Sequence, residues 1–274
     1  MRKRTLPRNS TMIAYPNIDP VAVSIGPVQV HWYGLMYVAG FIAVWYFAGR
    51  RAKRPGSGWT PIMVSDIVFF GALGVILGGR IGYALFYNFG HYLANPLEIL
   101  KVWQGGMSFH GGLIGVMIAQ WYVGRRHGKS FLEVADFVAP WVPVGLGLGR
   151  IANFINGELW GRVSDVPWAM VFPGGGFEPR HPSQLYQATL EGLVLMIVLV
   201  WYSRMPRPAG RVTGLFGLLY GCFRFLVEFV REPDEQLGYI AFHWLTMGQI
   251  LSLPMIAIGA WLLFRNVRHP LSVR

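Results

Sequence analysis

Gly149-Arg150-Ile151-Ala152-Asn153-Phe154-Ile155-Asn156-Gly157-Glu158-Leu159-Trp160-Gly161 ends a long hydrophobic segment and sets an arginine, two asparagines and a glutamate among residues that otherwise suit lipid. A charged group at membrane depth is costly and is usually retained for a task. Arg150 has no acidic residue three or four positions away on its own segment. The stretch therefore poses two questions: whether this chain lives in a membrane, and which anion Arg150 holds.

Composition answers the first. Of 274 residues, 53% are hydrophobic and 14% charged, and the mean hydropathy is +0.40. A soluble domain carries about 25% charged residues, so this chain lacks the polar surface to coat a globule. Its 35 glycines suit helices that pack with their backbones close. The single cysteine, Cys222, excludes an internal disulfide and a cysteine-rich metal site, and reads as small core filler. The net charge of +11 could suggest nucleic acid. The basic residues instead gather in short runs between hydrophobic segments, as orientation signals and contacts to anionic headgroups do, so no nucleic-acid partner is expected.

Seven hydrophobic segments, each near the roughly 20 residues needed to cross a bilayer, cover about 28–49, 61–87, 107–124, 132–151, 185–203, 212–230 and 239–264. Pro140 and Pro143 make the fourth irregular, and Pro254 kinks the seventh. Arg50, Arg51, Lys53 and Arg54 follow the first; Arg125, Arg126 and Lys129 the third; Arg204, Arg207 and Arg211 the fifth; Arg265, Arg268 and Arg274 the seventh. These alternate loops share one side, cytoplasmic by the positive-inside rule. The expected fold is an all-α integral membrane protein: a bundle of seven transmembrane helices with a small extracytoplasmic head, N-terminus outside and C-terminus cytoplasmic. Arg2, Lys3, Arg4 and Arg8 oppose that orientation, and Met12 is an alternative start to Met1. Residues 1–11 read as an extension, 12–274 as a single membrane domain, and 152–184 as the extracytoplasmic head loop, rich in Gly and Pro and too long for a turn.

Counting along the spans from the cytoplasmic side at about 1.5 Å per residue, Arg80, Arg150 and Arg224 all reach the outer half of the bilayer. His110 opens the third span, and His31 and Tyr33 the first, at that same level. Tyr220, Arg224, Glu228 and Arg231 share one helix face, as do Arg80, Tyr83 and Tyr87; such faces must look inward. Plainer roles compete with function. Arg224 with Glu228 suits a structural ion pair, Arg80 sits among packing glycines, and His110 alone suits a bond to a carbonyl. Glu158 could brace the head loop, and Asp66, Glu133 and Asp136 suit helix ends. Arg150 is hardest to explain structurally.

Arginines at the outer headgroup level suit a phosphate, which guanidinium binds by paired hydrogen bonds. The residues alone therefore point to an enzyme or carrier acting on phospholipid. The sequence carries no HExxH, paired metal ligands or nucleotide loop, so neither metal nor cofactor is expected. An intramembrane serine protease built on Ser108 and His110 is disfavoured, because positions i and i+2 do not share a helix face. A carrier without chemistry would need a polar path through the bilayer, whereas the ionisable residues within the spans gather toward one side.

The stretch 149–161 resembles the signature of the bacterial prolipoprotein diacylglyceryl transferase family. So do His31-Trp32-Tyr33-Gly34, Gly78-Gly79-Arg80-Ile81-Gly82-Tyr83, Gly105-Gly106-Met107-Ser108-Phe109-His110-Gly111-Gly112, Arg180-His181-Pro182-Ser183-Gln184-Leu185-Tyr186 and Arg224-Phe225-Leu226-Val227-Glu228-Phe229-Val230-Arg231. These motifs run in order from about Tyr15 to Arg268. The resemblance implies transfer of the sn-1,2-diacylglyceryl group of phosphatidylglycerol to a lipobox cysteine in a prolipoprotein signal peptide, with a thioether formed and glycerol 1-phosphate released. It implies the bacterial inner membrane, with the active site toward the periplasm; a monomer is expected. Within that expectation His110 is the candidate base, and Arg150 and Arg224 hold phosphate and stabilise the leaving group. Asn153, Asn156 and Glu158 position the headgroup or the arginines, Tyr33 and Tyr87 add hydrogen bonds, and Glu228 and Arg231 orient Arg224. Arg80 and Gly161 complete the expected substrate-binding set.

Overall fold

The computed structural model describes residues 13–233 and 238–266. The basic residues Arg2, Lys3, Arg4, Arg8, Arg268 and Arg274, and the choice between Met1 and Met12, lie outside the described residues.

A hairpin opens the described chain: β1 (Val21–Ile25) pairs antiparallel with β2 (Val28–His31). The expectation of an all-α fold missed it. Val21, Val23 and Ile25 alternate with smaller residues, and Gly26, at φ 59°, turns the chain in the left-handed region that glycine tolerates. The first helix consequently starts later than the hydrophobicity suggested. It is α1 (Trp32–Ala52), followed by α2 (Pro61–Phe86). Thr60 caps α2 by accepting from the Met63 amide, with Pro61 in the first turn where its missing N–H costs nothing.

Between α2 and α4 (Phe109–Arg126) the chain makes a short helix, α3 (Phe89–Ala94), and two 3₁₀ turns, Pro96–Leu100 and Val102–Gln104. The fourth hydrophobic segment is broken, as its prolines predict, into α5 (Phe131–Val138) and α6 (Val142–Ile155), bent by 54°. The fifth is one continuous helical path, Ser183–Tyr202: α7 (Ser183–Gln187), a π-helical stretch (Ala188–Val194) and α8 (Leu195–Tyr202). Then come α9 (Arg211–Val227) and α10 (Met247–Phe264). The last helix starts at Met247, not near Tyr239, because Thr246 and Gln249 form a capping box there and the preceding residues fold into a tight turn bridging Ala241 and Leu245.

Among the described residues, four helices are long and apolar enough to cross a membrane, and five if the bent α5–α6 pair counts as one span. Their outer faces carry large apolar side chains in the open, such as Ile62 (70% exposed), Phe69 (63%) and Trp261 (61%). Water would penalise so much exposed apolar surface, whereas lipid does not. The chain is a helical, multi-span membrane protein.

Inside, backbone closeness replaces bulky side chains. Gly74, Gly78 and Gly82 on α2 face Gly111 and Gly115 on α4, where an added Cβ would collide with backbone. Gly214 on α9 does the same against α10, where a Cβ on Gly221 would press on Ile256 and the Ser252 carbonyl and Gly217 leaves just room for a methyl. With three- and four-residue spacing these glycines line one helix face and let the helices approach closely. A separate cluster of Phe154, Met170 and Phe172, with Tyr15, Trp160 and Leu185 against it, packs the segment following α6. Tyr15 ties the N-terminal strand of chain to it by donating its hydroxyl to the Phe154 and Ile155 carbonyls, at 2.6 and 3.0 Å.

Candidate active site

Glu228 organises one cluster. Its carboxylate receives Arg224 at 2.7 Å, Arg231 at 3.1 Å and the Thr246 hydroxyl at 2.7 Å. Arg224 and Glu228 are four apart on one face at the end of α9, and Thr246 caps α10 beside them. Gly248 makes the space, since a Cβ there would lie 2.7 Å from the Glu228 carboxyl carbon. Arg162 fastens the backbone by donating to the Glu228 and Arg231 carbonyls, and Gly161 bridges Arg231 as an isolated β-pair. No side chain fits at Gly161, because a Cβ would press on the Val230 carbonyl and on His181.

Arg150, near the end of α6, meets Glu191 at 3.7 Å. Its own segment offered no acid; the partner comes from the π-helical stretch. Glu191 is fully buried and also receives Gln187 at 3.2 Å. Tyr220 and Glu191 both lie in the field of Arg150 and Arg224. Charges thus alternate in order Arg150, Glu191, Arg224, Glu228, Arg231. Glu228 is saturated, but Arg224 Nη1 and Glu191 Oε2 are buried without a hydrogen-bond partner among the described residues. Buried polar groups are generally paired, so an orphaned guanidinium N–H is the feature an anion would satisfy.

The spacing of Arg150 and Glu191 is set by glycines. Gly192 lies so close to Gly147 that a Cβ on it would stand 2.7 Å from the Gly147 Cα. The π-helical turn rotates the residues beyond it and brings Glu191 onto the α6 side; single π turns recur at functional sites.

Beyond Arg150, Asn153 and Asn156 both donate to Glu158 Oε1, at 2.8 and 3.2 Å. Leu159 follows at φ 57°, a left-handed conformation that a branched side chain resists, and the kind of strain that surrounding contacts must hold. Ser183 and Gln184 hold it by donating to the Leu159 and Glu158 carbonyls, at 2.9 and 2.6 Å. Tyr33 senses the charges of Glu158 and Arg150, which places it on this side of the cluster. The structure therefore brings together Tyr33, Arg150, Asn153, Asn156, Glu158, Gly161, Arg224, Glu228 and Arg231.

It sets the remaining expected residues on the α2–α4 pair. Arg80 is 4% exposed, and its guanidinium donates to the carbonyls of Glu98, Ile99, Lys101, Gly105 and Gly106. Tyr87 is exposed and stacks on Tyr83. His110 is exposed in the first turn of α4, edge-on to Phe109. Ser108 is buried and caps α4 by accepting from the Gly111 amide, a structural role that removes the basis for a serine nucleophile.

Sequence reasoning missed Glu191, Gln187, Thr246, Gly192, Gly248 and Arg162. Glu191 carried a usable signal, since it is an ionisable residue inside a hydrophobic segment. Thr246 with Gln249 carried one as a capping pair. Nothing in the sequence placed Glu191 between two arginines of other segments.

The profile of the family described as prolipoprotein diacylglyceryl transferase matches residues 20–265. The chain is 60% identical over 263 residues, 94% of its length and 99% of the relative's, to the phosphatidylglycerol–prolipoprotein diacylglyceryl transferase of Pseudomonas paraeruginosa. It is 62% identical over 255 residues to the protein of that name from Nitratidesulfovibrio vulgaris, covering 93% of this chain and 96% of the relative. With the protein of that name from Methylococcus capsulatus it shares 62% over 253 residues, covering 92% and 97%. The segments that build the arginine–glutamate cluster, α6, the π-helical stretch and α9, all lie within the matched range, and the chain is an enzyme that belongs to the prolipoprotein diacylglyceryl transferase family.

Proposed function

We propose that this enzyme transfers the sn-1,2-diacylglyceryl group of phosphatidylglycerol to the lipobox cysteine thiol of a prolipoprotein signal peptide. The cysteine sulfur attacks the glyceryl carbon that bears the phosphate, a C–S bond forms, and the C–O bond to phosphate breaks. The products are a thioether and glycerol 1-phosphate. The proton of the thiol is delivered to the departing phosphate. The observation that carries this reading is the spare guanidinium donor: Arg224 Nη1 is buried with no hydrogen-bond partner among the described residues, beside an Arg150 held only at 3.7 Å by Glu191. A phosphodiester carries one negative charge and offers acceptor oxygens to that donor. As the bond breaks, phosphate gains charge, so prearranged guanidiniums stabilise the transition state more than the ground state.

Asn153, Asn156 and Glu158 form a polar rim suited to the glycerol hydroxyls, with Tyr33 beside it. Glu228 and Arg231 hold Arg224, and Gly161 lets Arg231 be pinned by backbone pairing. His110, in the exposed first turn of α4, serves as base for the thiol, whose ordinary pKa of about 8.5 leaves little thiolate at neutrality. Arg80 and Tyr87 shape the α2–α4 side over which the substrates enter. In this reading seven spans cross the inner membrane of a bacterium, the N-terminus lies outside, residues 152–184 form a head on the periplasmic face, and the enzyme acts as a monomer.

The test is direct. Purified protein is incubated with phosphatidylglycerol and a lipobox peptide, and the peptide is weighed. An added diacylglyceryl mass is expected on the cysteine peptide and none on its Cys→Ser counterpart; no adduct on either sinks the proposal.

A further inference from the structure

At the opposite end of α9 from Arg224 lies a second positively charged concavity. Val212 lines it, and Arg224 is twelve residues further on, about 18 Å along the helix. The cavity measures about 480 Å³, within the range of roughly 300–1,000 Å³ typical of small-molecule sites. Three segments converge on it. The last turn of α1 supplies Arg51 and the turn after it Arg54, the α4–α5 turn Lys129, and the turn after α8 Arg204 and Arg207.

Two carboxylates also line the cavity, but both are committed. Asp136 accepts from the Gly210 and Thr213 amides, each at 2.7 Å, and from the Thr213 hydroxyl at 2.6 Å, capping α9. Glu133 accepts from Ser130 N and Oγ, both at 2.8 Å, capping α5, and meets Lys129 only at 3.8 Å. Five cations against two carboxylates leave a surplus of three positive charges.

Three of the cations lie over rings. Arg51 lies 5.3 Å over the Phe137 ring, Phe137 stacks on Trp59 at 4.1 Å, Lys129 sits 5.5 Å over Trp59, and Arg207 lies 4.3 Å over Tyr202. A loop signal that only orients a chain needs charge. It does not need cations seated on rings around one hollow. A second lobe of about 260 Å³ shares Arg51, Arg54, Ser203 and Arg204 and adds an apolar wall of Phe47, Trp141 and Val200.

We infer that this two-lobed cavity binds a phosphate group, its charge among the arginines and its apolar remainder along the second lobe, as the diester headgroup of a phospholipid in the leaflet opposite the active site would do. Basic pockets between membrane helices suit anionic headgroups, and guanidinium adds paired hydrogen bonds that ammonium cannot.

The test uses the full chain, delipidated in neutral detergent and titrated in two arms, one with radiolabelled phosphatidylglycerol in mixed micelles and one with inorganic phosphate. Two variants are compared with the parent: R54Q/R204Q/R207Q, and R54K/R204K/R207K, which keeps the charge that orients the chain. The Gln variant should bind about one equivalent less, and the Lys variant should bind that equivalent about tenfold more weakly. Loss in the micelle arm assigns a lipid headgroup, and loss in the phosphate arm alone assigns free phosphate. Unchanged binding by the Gln variant in both arms, or parental affinity in the Lys variant, overturns the site. Diacylglyceryl transfer by both variants should match the parent, so failure here is distinguishable from failure of the proposed reaction.

Discussion

Arg80 and Arg224 are two arginines inside apolar helices, both mostly buried, and their surroundings differ in kind. Arg80 is enclosed by five backbone carbonyls between Glu98 and Gly106, so its charge is spread over neutral dipoles and its donors are spent. Arg224 pairs with a carboxylate that is itself oversubscribed, and one of its nitrogens is left over. Depth and charge are therefore insufficient to mark an anion site. The Arg80 arrangement folds a loop against α2; the Arg224 arrangement keeps a donor in reserve. In the proposed reading the first lowers the free energy of the resting protein, while the second withholds part of that gain for a ligand.

The largest effect should come from spending or removing the reserved donor. Arg224→Lys keeps a positive charge opposite Glu228 but loses the planar fork. Transfer should fall about 100- to 1,000-fold in kcat, the usual loss when one prearranged donor to a developing anion is removed. Arg150→Ala should match or exceed it. His110→Ala sharpens the question of who activates the thiol. If His110 is the base, its loss should cost about 100- to 10,000-fold in kcat. If the arginine field alone favours thiolate, activity persists.

Next comes the glycine contact that sets Arg150 against Glu191. Gly192→Ala would place a methyl 2.7 Å from the Gly147 Cα, forcing α6 away from the π-helical stretch. Overpacking of this kind costs about 1–3 kcal/mol, and the displaced Arg150 should lower transfer by about 10- to 100-fold. Thermal unfolding in detergent and turnover per folded molecule separate the two losses. Normal turnover in a merely destabilised protein would show that the Arg150–Glu191 spacing is immaterial.

Arg80 supplies the contrast. Arg80→Lys cannot reach five carbonyls, so the segment from Glu98 to Gly106 should loosen and proteolysis there should quicken. Turnover per folded molecule should fall less than about tenfold, far below the Arg224→Lys loss. An equal collapse of kcat in both variants would erase the distinction.

How much of this was legible follows the same division. Helix positions came from hydrophobic runs and the α5–α6 break from Pro140 and Pro143, because burial in lipid and proline sterics act locally. The Arg224, Glu228 and Arg231 face followed from helical periodicity. The β1–β2 hairpin was absorbed into the first span, since its valines read equally as strand or membrane helix without the turn at Gly26. The Glu191 partnership was hidden because it joins α6 to a helix more than thirty residues later through a local π turn, and periodicity of 3.6 mispoints any side chain beyond such a turn. The partners of Arg80 were hidden for a related reason: they are carbonyls, which every residue carries and no sequence pattern marks.

The smallest effect tests whether the segment beside the cluster is held as firmly as the cluster itself. His181 lies between Gly161, whose amide donates to its carbonyl, and Tyr186. The Trp168 indole donates to the Tyr186 hydroxyl, so that hydroxyl's own proton is directed to His181 Nδ1, 3.1 Å away. This arrangement needs a neutral imidazole, and burial pushes the His181 pKa below its ordinary value. The folded protein then binds fewer protons at His181 than the unfolded chain does. Stability from this group is complete above the unfolded pKa near 6.5 and declines as pH falls through it toward the lower folded value. Thermal unfolding followed from pH 8 to pH 5 should show a shallow loss, and His181→Gln, which cannot take up a proton, should flatten it. The parent and the Gln variant falling in parallel would assign the slope to other groups and leave the loop's grip on Gly161 independent of the histidine.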